Sequence, residues 1–538
     1  MVDSPPMSSR DPRFPAGLIL VTLAAGILRF AKLGDVPVAL YCDEAFAGYE
    51  AWSLLLTGRD SHGRLLPLFF DIFGKGWGEP LYFYLTVPAV LLLDLTAAAA
   101  RTVAACSGTL CVAMTGLMTR ELLRGTLRGS ASDVAGVAAA GIMAVSPWAF
   151  HFSRIGFQAS LLPTALAAGF WLAARAARAQ HPAGRMLAGA ALALGSALYT
   201  YTVSRLALPL LLAGFVLLHR KSPALRGRAL IAATLALAAL AAPIAVFSLS
   251  AQGQQRFSDV SLANREDVAS GGAPAMAGAV LRNYVSYFAP GFLLTRGDAN
   301  PRHSIPGHGM LHPHDVLLGL AGLFAALWLR SAGPLFLVWW VAVSPIAASL
   351  TVDPGHAVRS IPMLPGLYAL AGLGAAVVWS LFRLPAAGVS ARRRRIIPSL
   401  ILIAFAALAV ASVVVYLHDY FVVYPIHSGP AWQYGLKEAY EYAETAGRGH
   451  DSVYVTRNED YPWIHLLFFR RIPPDVYQET GLAGTRYLFD QEVFYRGSGI
   501  PGRTNPMFVL KPWETDPRLG SRHVIRYPDG TDAFVIAW

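Results

Sequence analysis

Apolar residues in this chain gather into long runs rather than alternating with polar ones. Ala229 to Ser248 and Pro398 to Leu417 are two examples, each about the 20 residues that a helix needs to cross the hydrocarbon core of a bilayer. The first run, Gly17 to Phe30, follows Arg10 and Arg13 and is itself followed by Lys32. A secretory signal would end at a small-residue cleavage site, so the pattern predicts an uncleaved first span. Short cytoplasmic loops collect Lys and Arg, and this fixes the orientation of the rest. With Arg10 and Arg13 inside, the polar, glycine-broken stretch from Asp35 to Pro80 lies outside.

The apolar run Leu81 to Leu95 then decides the register. If it crossed, the loop carrying Arg120, Arg124 and Arg128 would lie outside; if it lies along the outer interface, that loop is inside. The second choice also places Arg175, Arg178 and Arg185, then Arg220 to Arg228, Arg330, and Arg392 to Arg395 inside. It sends Ser146 to Ser160, Tyr199 to Arg205, Ser250 to His314 and Thr351 to Ser360 outside. About eleven spans result, with Leu81 to Leu95 as a juxtamembrane element. The texture changes after Leu417. Trp432 to Thr445 carries Leu436, Ala439, Tyr440 and Ala443 at helical spacing, and Ser452 to Thr456 and Asp532 to Ala537 have strand patterns. The expectation is a membrane domain over 1–417, with a first external loop over 31–80, and a small external α/β domain over 418–538.

Composition agrees with this picture. Charged residues make up 14% of the 538, against about a quarter in soluble proteins, and the mean hydropathy is +0.45. The formal charge of +11 would suggest nucleic acid in a soluble chain; here its arginines punctuate apolar runs and report topology, so no nucleic-acid partner is expected. Cys42, Cys106 and Cys111 form no CxxC pair, which speaks against a zinc ribbon or a disulfide framework.

Candidate chemistry concentrates on the outer side. Asp43 and Glu44 stand just beyond the first span, where a carboxylate could take a proton from an attacking hydroxyl. An acidic pair there would also suit the first turn of a helix. Glu79-Pro80 either positions substrate or simply opens a helix. His151 and Arg154 stand three apart after an outward span, with Gln158 beyond them, and Arg suits phosphate through its planar donors. Arg205, His303 and Arg359 occupy further outward loops. His308, His312 and His314 have a superficial metal pattern, but Pro313 interrupts it and no carboxylate set is near in sequence, so a divalent metal is possible but not favoured and no other cofactor is expected. No GxGxxG follows a strand, which leaves no signature for a nucleotide sugar.

In the order and sidedness of these motifs the chain resembles the integral-membrane glycosyltransferases of the GT-C fold, in particular the protein O-mannosyltransferase and lipid A aminoarabinose transferase group. The features that carry the resemblance are Asp43-Glu44 after the first span, Glu79-Pro80, Ser153-Arg154, and His303-Ser-Ile-Pro306 before a late span. It implies a mainly α, polytopic membrane fold with a soluble domain outside. It implies a polyprenyl-phosphate-linked sugar as donor, transferred to an acceptor hydroxyl of a glycan, lipid or protein on the outer face of a bacterial inner membrane. By position, Asp43 would be the general base with Glu44 in support, Glu79 would position a substrate, and Arg154 would bind the lipid phosphate, with Arg205 and Arg359 as further phosphate ligands and His303 at the substrate. Several relatives carry an Asp a few residues after Ser-Arg; here Gln158 stands nearby, which cannot accept a proton at neutral pH. A diphosphate-carrier oligosaccharyltransferase or ligase, and a transporter of lipid-linked sugars, are the competing readings.

Overall fold

The apolar runs become helices that pack side by side, and the polar segments between them gather at the two ends of the bundle. The computed structural model describes residues 13–179, 183–381, 391–489, 505–515, 519–520 and 522–538. Among these, seven helices are long and apolar enough to cross a membrane: Arg13–Phe30, Ala97–Leu123, Gln158–Arg178, Arg228–Leu249, Ala332–Ser349, Ile361–Leu381 and Ser399–His427. Shorter apolar helices, Leu81–Leu93, Ala131–Val145, Ser204–His219 and Pro313–Leu329, complete a multi-pass bundle.

The elements that frame the site come first in the chain. They are α1 (Arg13–Phe30), α2 (Cys42–Thr57), α3 (Leu81–Leu93), α4 (Ala97–Leu123), α5 (Ala131–Val145), α6 (Pro147–Phe152) and α7 (Leu162–Arg178). Thr96 caps α4 by accepting the Ala99 amide at 3.2 Å. With 13 residues, about 20 Å of helix, α3 is shorter than the hydrocarbon core. It packs against α2 and α4 while Leu91 and Leu92 point outward. Between α2 and α3, strands β1 (Phe70–Asp71) and β2 (Trp77–Gly78) form a small antiparallel ribbon.

Close backbone approach holds the membrane bundle together, as expected where lipid is as apolar as the side chains. The helices Pro313–Leu329 and Leu364–Leu381 meet through Gly322 and Gly374. A Cβ at Gly322 would stand 1.8 Å from the Leu370 carbonyl, and one at Gly374 2.0 Å from that of Leu318.

Beyond the last long helix the chain builds a five-stranded sheet in the order β4–β3–β5–β7–β6. Its strands are β3 (Ser452–Val455), β4 (Tyr487–Leu488), β5 (Pro506–Leu510), β6 (Arg522–Arg526) and β7 (Asp532–Ala537). β3 runs parallel to β4 and β5; β7 is antiparallel to β5 and β6. The helix Leu436–Thr445 buries Leu436, Ala439, Tyr440 and Ala443 against this sheet, the face that its spacing indicates. The helix Pro462–Arg470 docks the sheet onto α2: Phe468 packs where a Cβ at Gly48 would come within 2.6 Å, and the Tyr49 hydroxyl donates to the Ile472 carbonyl at 2.8 Å.

Candidate active site

The N-terminus of α2 is where the outward-facing motifs converge. Tyr41 is extended and begins the helix, so Asp43 and Glu44 fall in its first turn, where free amides favour negative charge. Successive residues of a helix point in different directions, and these two part company. The Asp43 side chain is exposed and lines a cavity of about 580 Å³. Glu44 is fully buried.

Glu44 is the hub of a brace. It forms two parallel hydrogen bonds with Arg101 of α4, Nε to Oε1 and a terminal nitrogen to Oε2, both 2.8 Å. It also accepts the Gly156 amide at 2.7 Å and the Tyr41 amide at 3.2 Å. Arg101 is equally buried and donates to the carbonyls of Leu33, Pro37 and Ala39. A buried ion pair tolerates its desolvation when the remaining donors and acceptors are satisfied, as here. Glu44 is not among the residues that line the cavity, and its contacts hold the fold around the start of α2.

Arg154 is likewise held within the fold. Its guanidinium is buried and donates to the carbonyls of Leu28 (2.8 Å), Arg29 (2.7 Å) and Val36 (3.1 Å), and to the Tyr420 hydroxyl at 3.2 Å. Leu28 and Arg29 belong to the last turn of α1, whose carbonyls lack helical partners, and an arginine is a natural cap for them. These donors are engaged, and Arg154 is not among the residues that line the cavity. His151 is buried as well, with Nε2 2.7 Å from the Arg302 carbonyl.

Glu79 takes an intermediate position. It is buried and accepts from the Thr202 hydroxyl at 2.8 Å and from Arg205 at 2.9 Å. Arg205 itself lines the cavity, and Glu79, which does not, reaches it through this arginine. Gln158, His303 and Arg359 also line it. The Gln158 amide lies 2.7 Å from the place of a Cβ at Gly78, so a larger residue there would displace it. Arg359 donates to Thr351 Oγ1 at 2.8 Å and to Asp353 at 3.0 Å, which leaves part of its fork directed at the cavity.

Three residues at or beside the cavity were given no role by the sequence reading: Arg302 and His356 line it, and Asp298 contacts the lining His303. Arg302 stacks on the Tyr41 ring at 3.9 Å and donates to Ala431, and its Nε is buried without a hydrogen-bond partner. Its adjacency to His303 was the available signal. The second is His356, inside the Asp353 to Arg359 motif. The third is Asp298, whose Oδ2 lies 2.9 Å from His303 Nδ1 and accepts the Ala357 amide at 2.7 Å. Burial pushes the His356 imidazole down to about 3, with Arg359 and His303 adding to the effect. Burial alone would raise the Asp298 carboxyl, but the hydrogen bond from His303 and the neighbouring imidazoles hold it below the ordinary range.

One ligand atom each from Asp298, His303 and His356 falls within 4.8 Å of the others, and His356 Nδ1 is buried without a partner. One carboxylate and two imidazoles are a donor set that could hold a divalent cation. The three histidines singled out by spacing have other partners: His308 meets Asp419 at 2.8 Å, His312 stacks on His314, and His314 meets Asp315 at 3.2 Å. One of these carboxylates, Asp315, directly follows His314 in the sequence, and the other, Asp419, comes from a distant segment.

The cavity thus presents one exposed carboxylate, three guanidinium groups (Arg205, Arg302, Arg359) and two imidazoles, on walls that include Phe46, Phe83, Phe157, Leu206 and Leu350. Guanidinium groups at an apolar-walled cavity suit a phosphate attached to a lipid chain.

Comparison with solved structures returns the same architecture. ArnT from Cupriavidus metallidurans bound to undecaprenyl phosphate superposes with a TM-score of 0.56 at 16% identity, covering 98% of this chain and 98% of ArnT. The chain shares that fold. The archaeal oligosaccharyltransferase AglB from Archaeoglobus fulgidus, in complex with an inhibitory peptide and a dolichol-phosphate, matches with a TM-score of 0.52 at 13% identity over 85% of this chain and 64% of AglB. The Archaeoglobus fulgidus oligosaccharyltransferase tethered to an acceptor peptide matches with a TM-score of 0.52 at 13% identity, over 90% of this chain and 70% of that one. ArnT and AglB are GT-C membrane glycosyltransferases, the fold class that the motif order indicates. No family model matches the sequence, and no curated protein matches it.

Proposed function

We propose that the chain is a membrane glycosyltransferase that moves a sugar from a polyprenyl-phosphate carrier to an acceptor hydroxyl, with the cavity as its active site on the outer face of the plasma membrane. The observation that carries this reading is the convergence of Asp43 with Arg205, Arg302 and Arg359 around one apolar-walled cavity. The shared fold with proteins solved with undecaprenyl phosphate or dolichol-phosphate supports a lipid-linked donor.

The acceptor oxygen attacks the anomeric carbon while its proton passes to the Asp43 carboxylate. The bond from that carbon to the phosphate oxygen breaks, and the lipid phosphate leaves with the electron pair. Arg205, Arg302 and Arg359 hold the charge that develops on it, and electrostatic stabilisation of this kind can supply much of the rate enhancement where the leaving group is already good. Displacement from the opposite face inverts the anomeric centre.

A second reading rests on Asp298, His303 and His356. These residues would hold a divalent cation, which would supply charge neutralisation suited to a diphosphate carrier. One assay separates the two. Purified protein in detergent is offered polyprenyl-phosphate and polyprenyl-diphosphate sugars with crude envelope acceptors, with and without chelator, for wild type and Asp43→Asn. Chelator-insensitive transfer from the monophosphate donor, lost in Asp43→Asn, supports the first reading. Chelator-sensitive transfer from the diphosphate alone replaces it with the second, and transport without transfer removes both.

A further inference from the structure

At the end of the bundle opposite the active-site cavity, the start of α1 and the ends of α4 and α7 enclose a second crevice, of about 300 Å³. Its walls include Phe14, Leu18, Leu117 and Trp171, and its rim carries Arg120, Arg124 and Arg175 with a single lining carboxylate, Glu121. Arg120 is neutralised by Asp133 and lies over the Phe14 ring at 4.0 Å. Glu121 is shared between Arg124 at 3.3 Å and Arg178 at 3.4 Å. Arg175 meets no carboxylate among the described residues; it lies over the Trp171 ring at 5.3 Å. Four guanidinium groups therefore face two carboxylates, which leaves a positive excess at the mouth of an apolar crevice.

A second observation says what kind of anion fits. From the crevice, Ile19, Leu23 and Ile27 continue along one face of α1 at four-residue spacing, and they are 59%, 61% and 72% exposed. This apolar stripe extends about 12 Å away from the charged rim. A water-soluble anion would use the rim and leave the stripe bare, whereas a lipid with a charged headgroup uses both.

We propose that this crevice binds one anionic membrane phospholipid, its headgroup phosphate held by Arg175 and Arg124 and one acyl chain lying along Ile19, Leu23 and Ile27. Arg175 is the main ligand because its donors are not committed to a carboxylate. The site is separate from the proposed transfer reaction and needs neither donor nor acceptor.

The test is native mass spectrometry of delipidated protein in detergent, with phosphatidylglycerol, with phosphatidylcholine of the same chains, and with glycerol 3-phosphate as competitor. Retention of one phosphatidylglycerol per chain is expected, about ten-fold above phosphatidylcholine. Arg175→Gln lowers it about five-fold, Arg175→Lys restores part of it, and glycerol 3-phosphate fails to compete. Equal retention of the two lipids by wild type overturns the proposal whatever the variants do. So does undiminished retention in a folded Arg175→Gln, or displacement of the lipid by glycerol 3-phosphate.

Discussion

Two groups of arginines lie within the same end of this molecule and answer to different physics. Arg101 and Arg154 are fully buried, and their donors are occupied by carbonyls, by Glu44 and by Tyr420. Arg205, Arg302 and Arg359 keep one flank against protein and turn the other to the cavity. Their partners explain the difference. A buried arginine surrounded by helix-end carbonyls is a cap; one held by Glu79, Tyr41 or Thr351 and Asp353 at a cavity edge is aimed at something else. The residue that looks most like a phosphate ligand in the sequence, Arg154, belongs to the first group.

The comparison breaks most sharply at the brace. Arg101→Met leaves Glu44 buried without its cation and is expected to cost about 3–5 kcal/mol, enough to prevent recovery of folded protein; a monodisperse variant with an unchanged thermal midpoint would show that the ion pair is dispensable. Asp43→Asn should do the reverse. Turnover is expected to fall by about 10²–10⁴-fold, the usual contribution of a general base, while the thermal midpoint stays near wild type. Wild-type turnover in that variant removes Asp43 from the chemistry.

Among the cavity arginines, Arg302→Gln and Arg359→Gln should each lower kcat/KM for the lipid-linked donor by about 10–100-fold, as expected for loss of one charge-assisted contact. Arg154→Gln should instead lower stability and leave donor KM unchanged in whatever folds. A donor KM that rises in Arg154→Gln and not in the other two would invert the assignment. Glu79→Gln retains a hydrogen-bond acceptor for Arg205 and should reduce turnover by less, about 3–10-fold; intact turnover would mean that Arg205 needs no aiming.

The smallest expected effect concerns His465, which ties the C-terminal sheet domain to the Leu40 carbonyl at 3.1 Å. Burial pushes its imidazole down to about 4, so the folded state resists its protonation. A depressed folded value means that the contribution is complete above the unfolded value, about 6.5, and is lost as the pH falls toward 4. Thermal midpoints between pH 7 and 4 should decline less steeply in His465→Gln than in wild type, and identical slopes would show that this histidine is not the coupling group.

How much of the site could be read in advance depends on how far apart the partners lie in sequence. Asp43, Gln158, Arg205, His303 and Arg359 were all singled out from the chain, and the structure brings them to one cavity. Each stands in a polar segment between apolar runs, so loop position alone leads to them. The neighbours Asp43 and Glu44 look equivalent in the sequence, and only the direction of each side chain on the first turn of α2 separates an exposed carboxylate from a buried one. Asp298 and His356 are 58 residues apart, as their numbering gives, and no local pattern announces that they share His303 as a neighbour.

Hydropathy is additive along the chain, so the sequence by itself determined that this is a membrane bundle of many helices followed by an α/β unit. The same local logic placed the amphipathic face of Leu436–Thr445. What only the tertiary structure decided is which polar groups are spent on holding the fold and which remain for chemistry. That division depends on burial and on partners contributed by distant segments. Arg101 is committed because Leu33, Pro37 and Ala39 bring it carbonyls, and Arg302 remains available because Tyr41 offers it a ring face and no charge.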